Sequence, residues 1–402
     1  MTAEQRLFLR CLADVCAGRE TPAPEEKIDL EEFFRISEEQ SLAGIVYIQG
    51  RRWLFGNKGF NNAFLSDVFL SVNRGDIINE ITERFATEGI PLIFMKGAVY
   101  RDYYPVPELR SMGDVDFIIR HDDRERADRI LMKDMGFARM IDHQNVWSYK
   151  IGEIIFEVHD RMFYEHLTGA FDYGAYFDAV WDNKKKGSVF GVEADNLHIP
   201  TANFHFLYLM THTAKHVINL GMGFRAFLDM VFMVRSCGEE LVWEWLEKEL
   251  EKMGLLTFTK TCFALCQRWF DVKMPLDPGT LDEAFFLQTT EKVFEDGIFG
   301  IDNEANEGAG SAKEIKRSAL PYWLSALRLT GRKLFPPYED MQLIPWYSFV
   351  DGRPWLLPAA WVYRWGYVLV HKRETGRKKL AEPFVKKELI EKREEIIQSW
   401  GL

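Results

Sequence analysis

The sequence predicts an α+β fold in which a small mixed sheet is flanked by an N-terminal helical segment and a large C-terminal helical region. Three observations predict it. Between Ile93 and Phe117 the chain reads IFMKGAVYRDYYPVPELRSMGDVDF, an apolar run stopped at Lys96-Gly97 and a second one entered through Asp114-Val115-Asp116. That pattern is strand, turn, short helix, loop and strand. From Phe137 to His159, three short apolar and β-branched runs are separated by polar or glycine turns, as in antiparallel strands. Up to about Gln49, and again from Thr201 onward, apolar residues recur at helical spacing. The chain divides accordingly into a helical segment 1–60, an α/β core 61–198 and a helical region 199–402.

Taken in order, Leu7, Phe8, Leu12 and Val15 make one helical stripe and Leu30, Phe33, Phe34 and Ile36 another, separated by the proline-bearing loop Thr21 to Glu25. Arg6 and Arg10 interrupt any signal-peptide core, so no export is expected. A helix from Asn61 to Thr87 turns Ile77, Ile78, Ile81 and Phe85 toward the sheet and delivers the chain through Gly89-Ile90-Pro91 into the first strand. After the second strand, Asp122-Asp123 is placed to cap a helix ending near Gly136. Strands are expected at Phe137 to Ile141, Val146 to Lys150 and Ile154 to His159. Helices follow at Asn203 to Asn219, Phe224 to Ser236, Glu239 to Met253, Leu255 to Phe270, Leu281 to Glu295 and Lys313 to Leu329, with a flexible loop from Gly297 to Ala312. The apolar tract Leu356 to Val370 is interrupted by Arg364 and falls short of the roughly 18 continuous apolar residues of a spanning helix. It is expected as a buried or half-buried helix, so no membrane span is predicted.

Composition narrows the functional classes. With 402 residues, 47% hydrophobic and 28% charged, the chain has the make-up of a globular protein with a sizeable core. Its formal charge of −11 argues against an extended nucleic-acid surface, which needs a basic domain. A small molecule or a protein is the expected acceptor of any group transfer. Five sparse cysteines, Cys11, Cys16, Cys237, Cys262 and Cys266, suit reduced thiols in the cytoplasm better than a disulfide framework. The basic cluster Lys372, Arg373, Arg377, Lys378 and Lys379 reads as a solvated face.

The chemistry concentrates in the strands. Side chains alternate along a strand, so Asp114 and Asp116 share one face, and Glu157 and His159 share one face of a later strand. Three carboxylates on neighbouring strands repel one another unless a cation lies between them. Oxygen ligands that leave room for phosphate oxygens favour Mg²⁺ or Mn²⁺ over zinc, and removing one carboxylate from so crowded a site would relieve repulsion. A bare Asp-x-Asp is common by chance and can simply pair with Arg110 and Arg120. The glycine turn before it and the acidic strand after it raise its weight.

In the helical half, His205, His212 and His216 fall along one stripe. The spacing of His212 and His216 could chelate zinc, but no third ligand lies at short range, and packed histidines facing the cleft are the favoured reading. Lys215, His216 and Arg225 offer donors to phosphate. Asp229, one turn after Arg225, is placed to hold its guanidinium; a surface salt bridge is the alternative.

Lys96-Gly97, Arg110, Gly113 to Asp116 and Glu157-Val158-His159 resemble the signature of the uncharacterised nucleotidyltransferase family, a branch of the DNA polymerase β-like superfamily. Gly221 to Asp229, with the histidines before it, resembles the family's second signature. The resemblance covers about Ala63 to Arg235. It implies a sheet carrying an Asp-x-Asp pair and a distal acid, two Mg²⁺ ions with Mn²⁺ as a substitute, and transfer of a nucleoside monophosphate from a nucleoside triphosphate, ATP foremost, to an acceptor hydroxyl with release of pyrophosphate. It also implies catalytic and metal-binding roles for Asp114, Asp116 and Glu157. Nucleotide or phosphate contacts fall to Lys96, Gly97, Arg110, His159, Lys215, His216 and Arg225, with Asp229 in support. Lys96 is expected against the outer phosphates, outside the metal shell. The superfamily's turn is usually Gly-Ser or Gly-Gly, whereas this chain has Lys96-Gly97-Ala98 and lacks the serine hydroxyl. The alternative reading is therefore a nucleotide-binding or partner-binding module that keeps the fold without turnover.

Overall fold

The computed structural model describes residues 1–142, 145–164, 167, 170–219, 221–277, 279–297, 328, 331–332, 334–341, 345–350, 352–371, 395 and 397–402. Five helices open the chain: α1 (Ala3–Ala17), α2 (Leu30–Glu39), α3 (Ala43–Gln49), the short α4 (Arg51–Leu54) and the long α5 (Lys58–Thr87). Their starts follow from local chemistry. Thr2 and Gln5 form a capping box, Asp29 accepts from the amides of Glu31 and Glu32, and Asn57 accepts from that of Phe60, so amide groups without helical partners are satisfied by side chains.

The sheet has seven strands: β1 (Leu92–Phe94), β2 (Asp114–Ile118), β3 (Ala138–Asp142), β4 (Val146–Ile151), β5 (Ile154–His159), β6 (Lys184–Lys186) and β7 (Leu197–Pro200). Their spatial order is β3-β4-β5-β2-β1-β7-β6. β2 runs antiparallel to β1 and parallel to β5, and β1 runs parallel to β7, which makes the sheet mixed. β6 and β7 escape the sequence reading because they are short and one is a run of lysines. Lysine on an edge strand discourages pairing with a further strand.

Short helices α6 (Gly97–Tyr100), α7 (Arg124–Arg129) and α8 (Tyr173–Phe177) decorate the sheet. After β7 come α9 (Ala202–Asn219), α10 (Phe224–Ser236), α11 (Trp243–Lys252), α12 (Leu256–Phe270) and α13 (Glu283–Asp296). Two expectations change here. Asp122-Asp123 does not cap α7; a single 3₁₀ turn, His121–Asp123, leads in, and the Asp123 carboxylate is taken by Arg126 one turn later. The apolar tract near the C-terminus does form a helix, Leu357–His371, but Val362 and Tyr363 on it are 73% and 55% exposed. The expected helix Lys313 to Leu329, apart from Arg328, the loop after Gly297, and the basic cluster from Lys372 lie outside the described residues. Among the described residues no helix is long and apolar enough to cross a membrane.

Among the described residues apolar side chains gather into one small cluster around Met341, Tyr347, Val350 and Ala360 and into two large cores. One joins Phe8, Cys11 and Leu12 of α1 to Phe224 and Phe227 of α10 and to Cys262, Cys266 and Trp269 of α12. The other lies against the sheet and includes Phe85, Phe94, Phe117, Leu131 and Phe156. Each fully buried phenylalanine contributes roughly 1.5–3 kcal/mol of apolar burial. The cleft described next opens where the sheet meets α9 and α10.

Candidate active site

Strand register brings the acids together. β2 and β5 pair so that Asp116 lies directly beside Glu157 and Ile118 beside His159. Asp114, two residues before Asp116, shares its face. The Met95 amide donates to the Asp116 carbonyl at 3.2 Å, which sets the turn after β1 next to the same carboxylates. Asp114, Asp116 and Glu157 line a cavity of about 290 Å³ together with Lys96, Gly97, Arg110, Lys215, His216, Arg225 and Asp229. Among the predicted site residues His159 alone stays behind that wall.

Their electrostatics differ by position. Burial alone would raise the Asp116 carboxyl, but the Lys96 ammonium and the hydrogen bond from His159 outweigh it and hold the group down at about 2. Asp114 is raised, first by the Asp116 charge and then by burial. Glu157 is pushed up to about 7 by burial and then by the charges of Asp116 and Asp114; the Ser148 hydroxyl donates to its Oε1 at 3.4 Å, and His159 Nε2 lies 3.7 Å from its Oε2. His159 places Nε2 2.9 Å from Asp116 Oδ1. Because a carboxylate only accepts, Nε2 carries the hydrogen. Burial lowers the His159 pKa, so the ring is neutral in this position.

Lys96 departs from expectation. Its Nζ lies 2.5 Å from Asp116 Oδ1 rather than reaching outward to phosphates. The cause is register: Lys96 follows Met95, whose amide is bonded to Asp116, so the lysine stem spans one strand spacing. The backbone of Lys96 sits at φ +52 and ψ −132, in the region that favours glycine, at a cost of about 1–3 kcal/mol. Its amide donates to His205 Nε2 at 3.2 Å, and the His205 ring stacks on Tyr100 with centroids 4.5 Å apart. The helix behind the turn, α6, has only four residues, too few to present much of a dipole. Gly97 is needed for space, since a Cβ there would lie 2.4 Å from Arg110 Nη1.

α9 and α10 close the other wall. His212 and His216 face the cavity with ring centroids 4.5 Å apart, and burial lowers both, His216 to about 4. They are packed neutral rings. Among the described residues, the group that could hold a metal ion is Asp116, Glu157 and His159, whose ligand atoms lie within 4.8 Å of one another, not the His212-His216 pair.

Asp229 pairs with Arg110, not with Arg225 as expected: Nη2 to Oδ2 is 2.6 Å and Nε to Oδ1 is 3.2 Å. The Tyr104 hydroxyl donates to the same carboxylate at 2.7 Å. Arg110 reaches Asp229 because its own loop folds against α10. Arg225 instead donates to the Ser111 carbonyl at 2.9 Å, and among the described residues no carboxylate forms an ion pair with it. Burial and then the charge of Arg110 lower its pKa to about 10, and it still faces the cavity as a cation at neutral pH.

The sequence reading missed Arg74 and Asp67 on α5. Arg74 is buried and donates to the Met112 carbonyl at 2.7 Å, fixing the loop into β2. Burial pushes Asp67 up to about 7 although Arg74 and Arg225 stand near it. The available signal was an arginine in register with the buried stripe Ser71, Ile78, Ile81 and Phe85.

A family model described as uncharacterised nucleotidyltransferase matches residues 26–271, more than half of the chain. The chain belongs to that nucleotidyltransferase family. No curated protein and no solved structure matches it.

Proposed function

We propose that the cleft binds a nucleoside triphosphate with a divalent cation and transfers its nucleoside monophosphate to an acceptor hydroxyl, releasing pyrophosphate. The observation that carries this reading is one cavity lined both by three carboxylates on adjacent strands and by Lys215, His216 and Arg225 from the helical half. The acid wall fits a divalent cation: the carboxylates of Asp116 and Glu157 converge on its face, and hard oxygen donors suit Mg²⁺ or Mn²⁺. Such a cation, bound by Asp114, Asp116 and Glu157, would neutralise charge around the α-phosphate and acidify the attacking hydroxyl.

The chain's own groups supply the rest. Arg225, half-buried and, among the described residues, without a carboxylate ion pair, is set to donate to phosphate oxygens. Lys215 and His216 border the same space. Glu157, a carboxylate on the same wall, is placed to accept the acceptor's proton. The acceptor oxygen attacks the α-phosphorus, the bond from that phosphorus to the bridging oxygen of the β-phosphate breaks, and pyrophosphate leaves with those electrons. The asymmetric cleft, acids below and cations above, orients the triphosphate so that its outer phosphates lie toward α9 and α10.

Incubating the protein with each α-labelled nucleoside triphosphate, Mg²⁺ or Mn²⁺, and pools of hydroxyl-bearing small molecules or protein tests the proposal. Labelled product with stoichiometric pyrophosphate supports it. Triphosphate binding without turnover under every acceptor would favour the nucleotide-binding module instead.

A further inference from the structure

We propose that the Lys96 ammonium permanently occupies the place of one of the two divalent cations that the superfamily resemblance implies, so that this chain works with a single bound metal ion. The inference rests on the nucleotidyltransferase reading of the same site and concerns how many ions that site holds.

The argument begins with one oxygen atom. Asp116 Oδ1 accepts from Lys96 Nζ at 2.5 Å and from His159 Nε2 at 2.9 Å. A carboxylate oxygen has two lone-pair directions, and two charged or charge-assisted donors use both. Oδ1 is closed to a metal, and Asp116 keeps only Oδ2 for one. A carboxylate with one open oxygen is poorly suited to hold two ions a few ångströms apart, whereas a paired-metal site needs its shared acid to reach both.

The lysine is also built in rather than resting there by chance. Its backbone is kept in a conformation that favours glycine, its amide is fixed by His205, and its side chain is only 18% exposed. Strained backbone of this kind persists where the surroundings over-determine it. Charge points the same way. Asp114, Asp116 and Glu157, all ionised around a metal, carry three negative charges; the ammonium offsets one and a single divalent ion offsets the other two. The convergent carboxylates of Asp116 and Glu157 likewise describe one metal position.

Counting Mn²⁺ bound to the full-length protein, from loss of the free-ion signal in electron paramagnetic resonance, tests the inference with the metal alone as probe. The wild type is expected to take up one ion per chain at this site and Lys96→Gly two, because that variant removes the ammonium while suiting the backbone. Lys96→Arg, which keeps the charge, is expected to stay at one. Two ions in the wild type would overturn the inference and leave the nucleotidyltransferase reading standing, as would one ion in both wild type and Lys96→Gly. No ion in the wild type, with or without a non-hydrolysable triphosphate, would remove that reading as well.

Discussion

Arg110 and Asp229 meet in a two-pronged buried ion pair, 2.6 Å and 3.2 Å, that fastens the loop before β2 to helix α10 and so fixes the sheet wall of the cleft against its helical wall. Tyr104 completes the carboxylate's shell. Asp229→Ala would leave a buried guanidinium unpaired, a loss of about 3–5 kcal/mol. Denaturant unfolding should show that loss, whereas a pair acting only as a surface contact would lose less than about 1 kcal/mol.

The acids should separate on mutation. Reading them as a crowded trio suggests that removing either aspartate relieves repulsion, yet Asp116 is stabilised as an anion by Lys96 and His159. Asp116→Asn is expected to destabilise the metal-free protein by about 3–5 kcal/mol, because Lys96 loses its counter-charge. Asp114→Asn is expected to leave stability unchanged or raised, since the Asp116 charge beside it is what raises Asp114. Equal melting shifts in the two variants would contradict this assignment.

Glu157 gives the site a pH signature. Its folded pKa, about 7, lies above the ordinary value of 4.5, so the fold binds this proton more tightly than the unfolded chain. That contribution is fully present below about 4.5 and is lost as pH rises through about 7. Asp116 acts in the opposite sense, its contribution present above 3.8 and lost as pH falls through about 2. The metal-free protein should therefore lose melting temperature between about pH 4.5 and 7 in a way that Glu157→Gln flattens. Metal affinity should rise about tenfold per pH unit below 7, because binding releases one proton.

Much of this was legible in the sequence, for identifiable reasons. Strand alternation alone placed Asp114 and Asp116 on one face and Glu157 and His159 on one face of a later strand, whereas the parallel register of β2 and β5 is what sets Glu157 beside Asp116; helical spacing aligned His205, His212 and His216. Partner choice was not legible. Asp229 lies one turn from Arg225 but bonds Arg110, which is 119 residues away, because loop packing rather than helical proximity decides which guanidinium arrives. Lys96 looked like a phosphate ligand until register placed it against Asp116. Arg74 was hidden in an otherwise apolar stripe.

Arg225→Ala should raise the KM for the triphosphate about ten- to hundredfold, the worth of a charge-assisted hydrogen bond or two, with a smaller effect on kcat. Its side chain donates to the neutral carbonyl and hydroxyl of Ser111, so the fold should survive. Steady-state kinetics on the variant check this, and a fall in kcat with KM unchanged would assign Arg225 to the reacting phosphate instead.

The central claim is that the carboxylate wall and the helical wall together hold a metal-bound triphosphate. Calorimetric titration of non-hydrolysable analogues of the four nucleoside triphosphates into the wild type, Asp116→Asn and Arg225→Ala, each in Mg²⁺ and in chelator, tests it most directly. At least one analogue should bind the wild type in Mg²⁺, lose that binding in chelator and in Asp116→Asn, and bind Arg225→Ala more weakly. Binding that is unchanged in chelator or in Asp116→Asn, or the absence of binding by all four analogues, would contradict it.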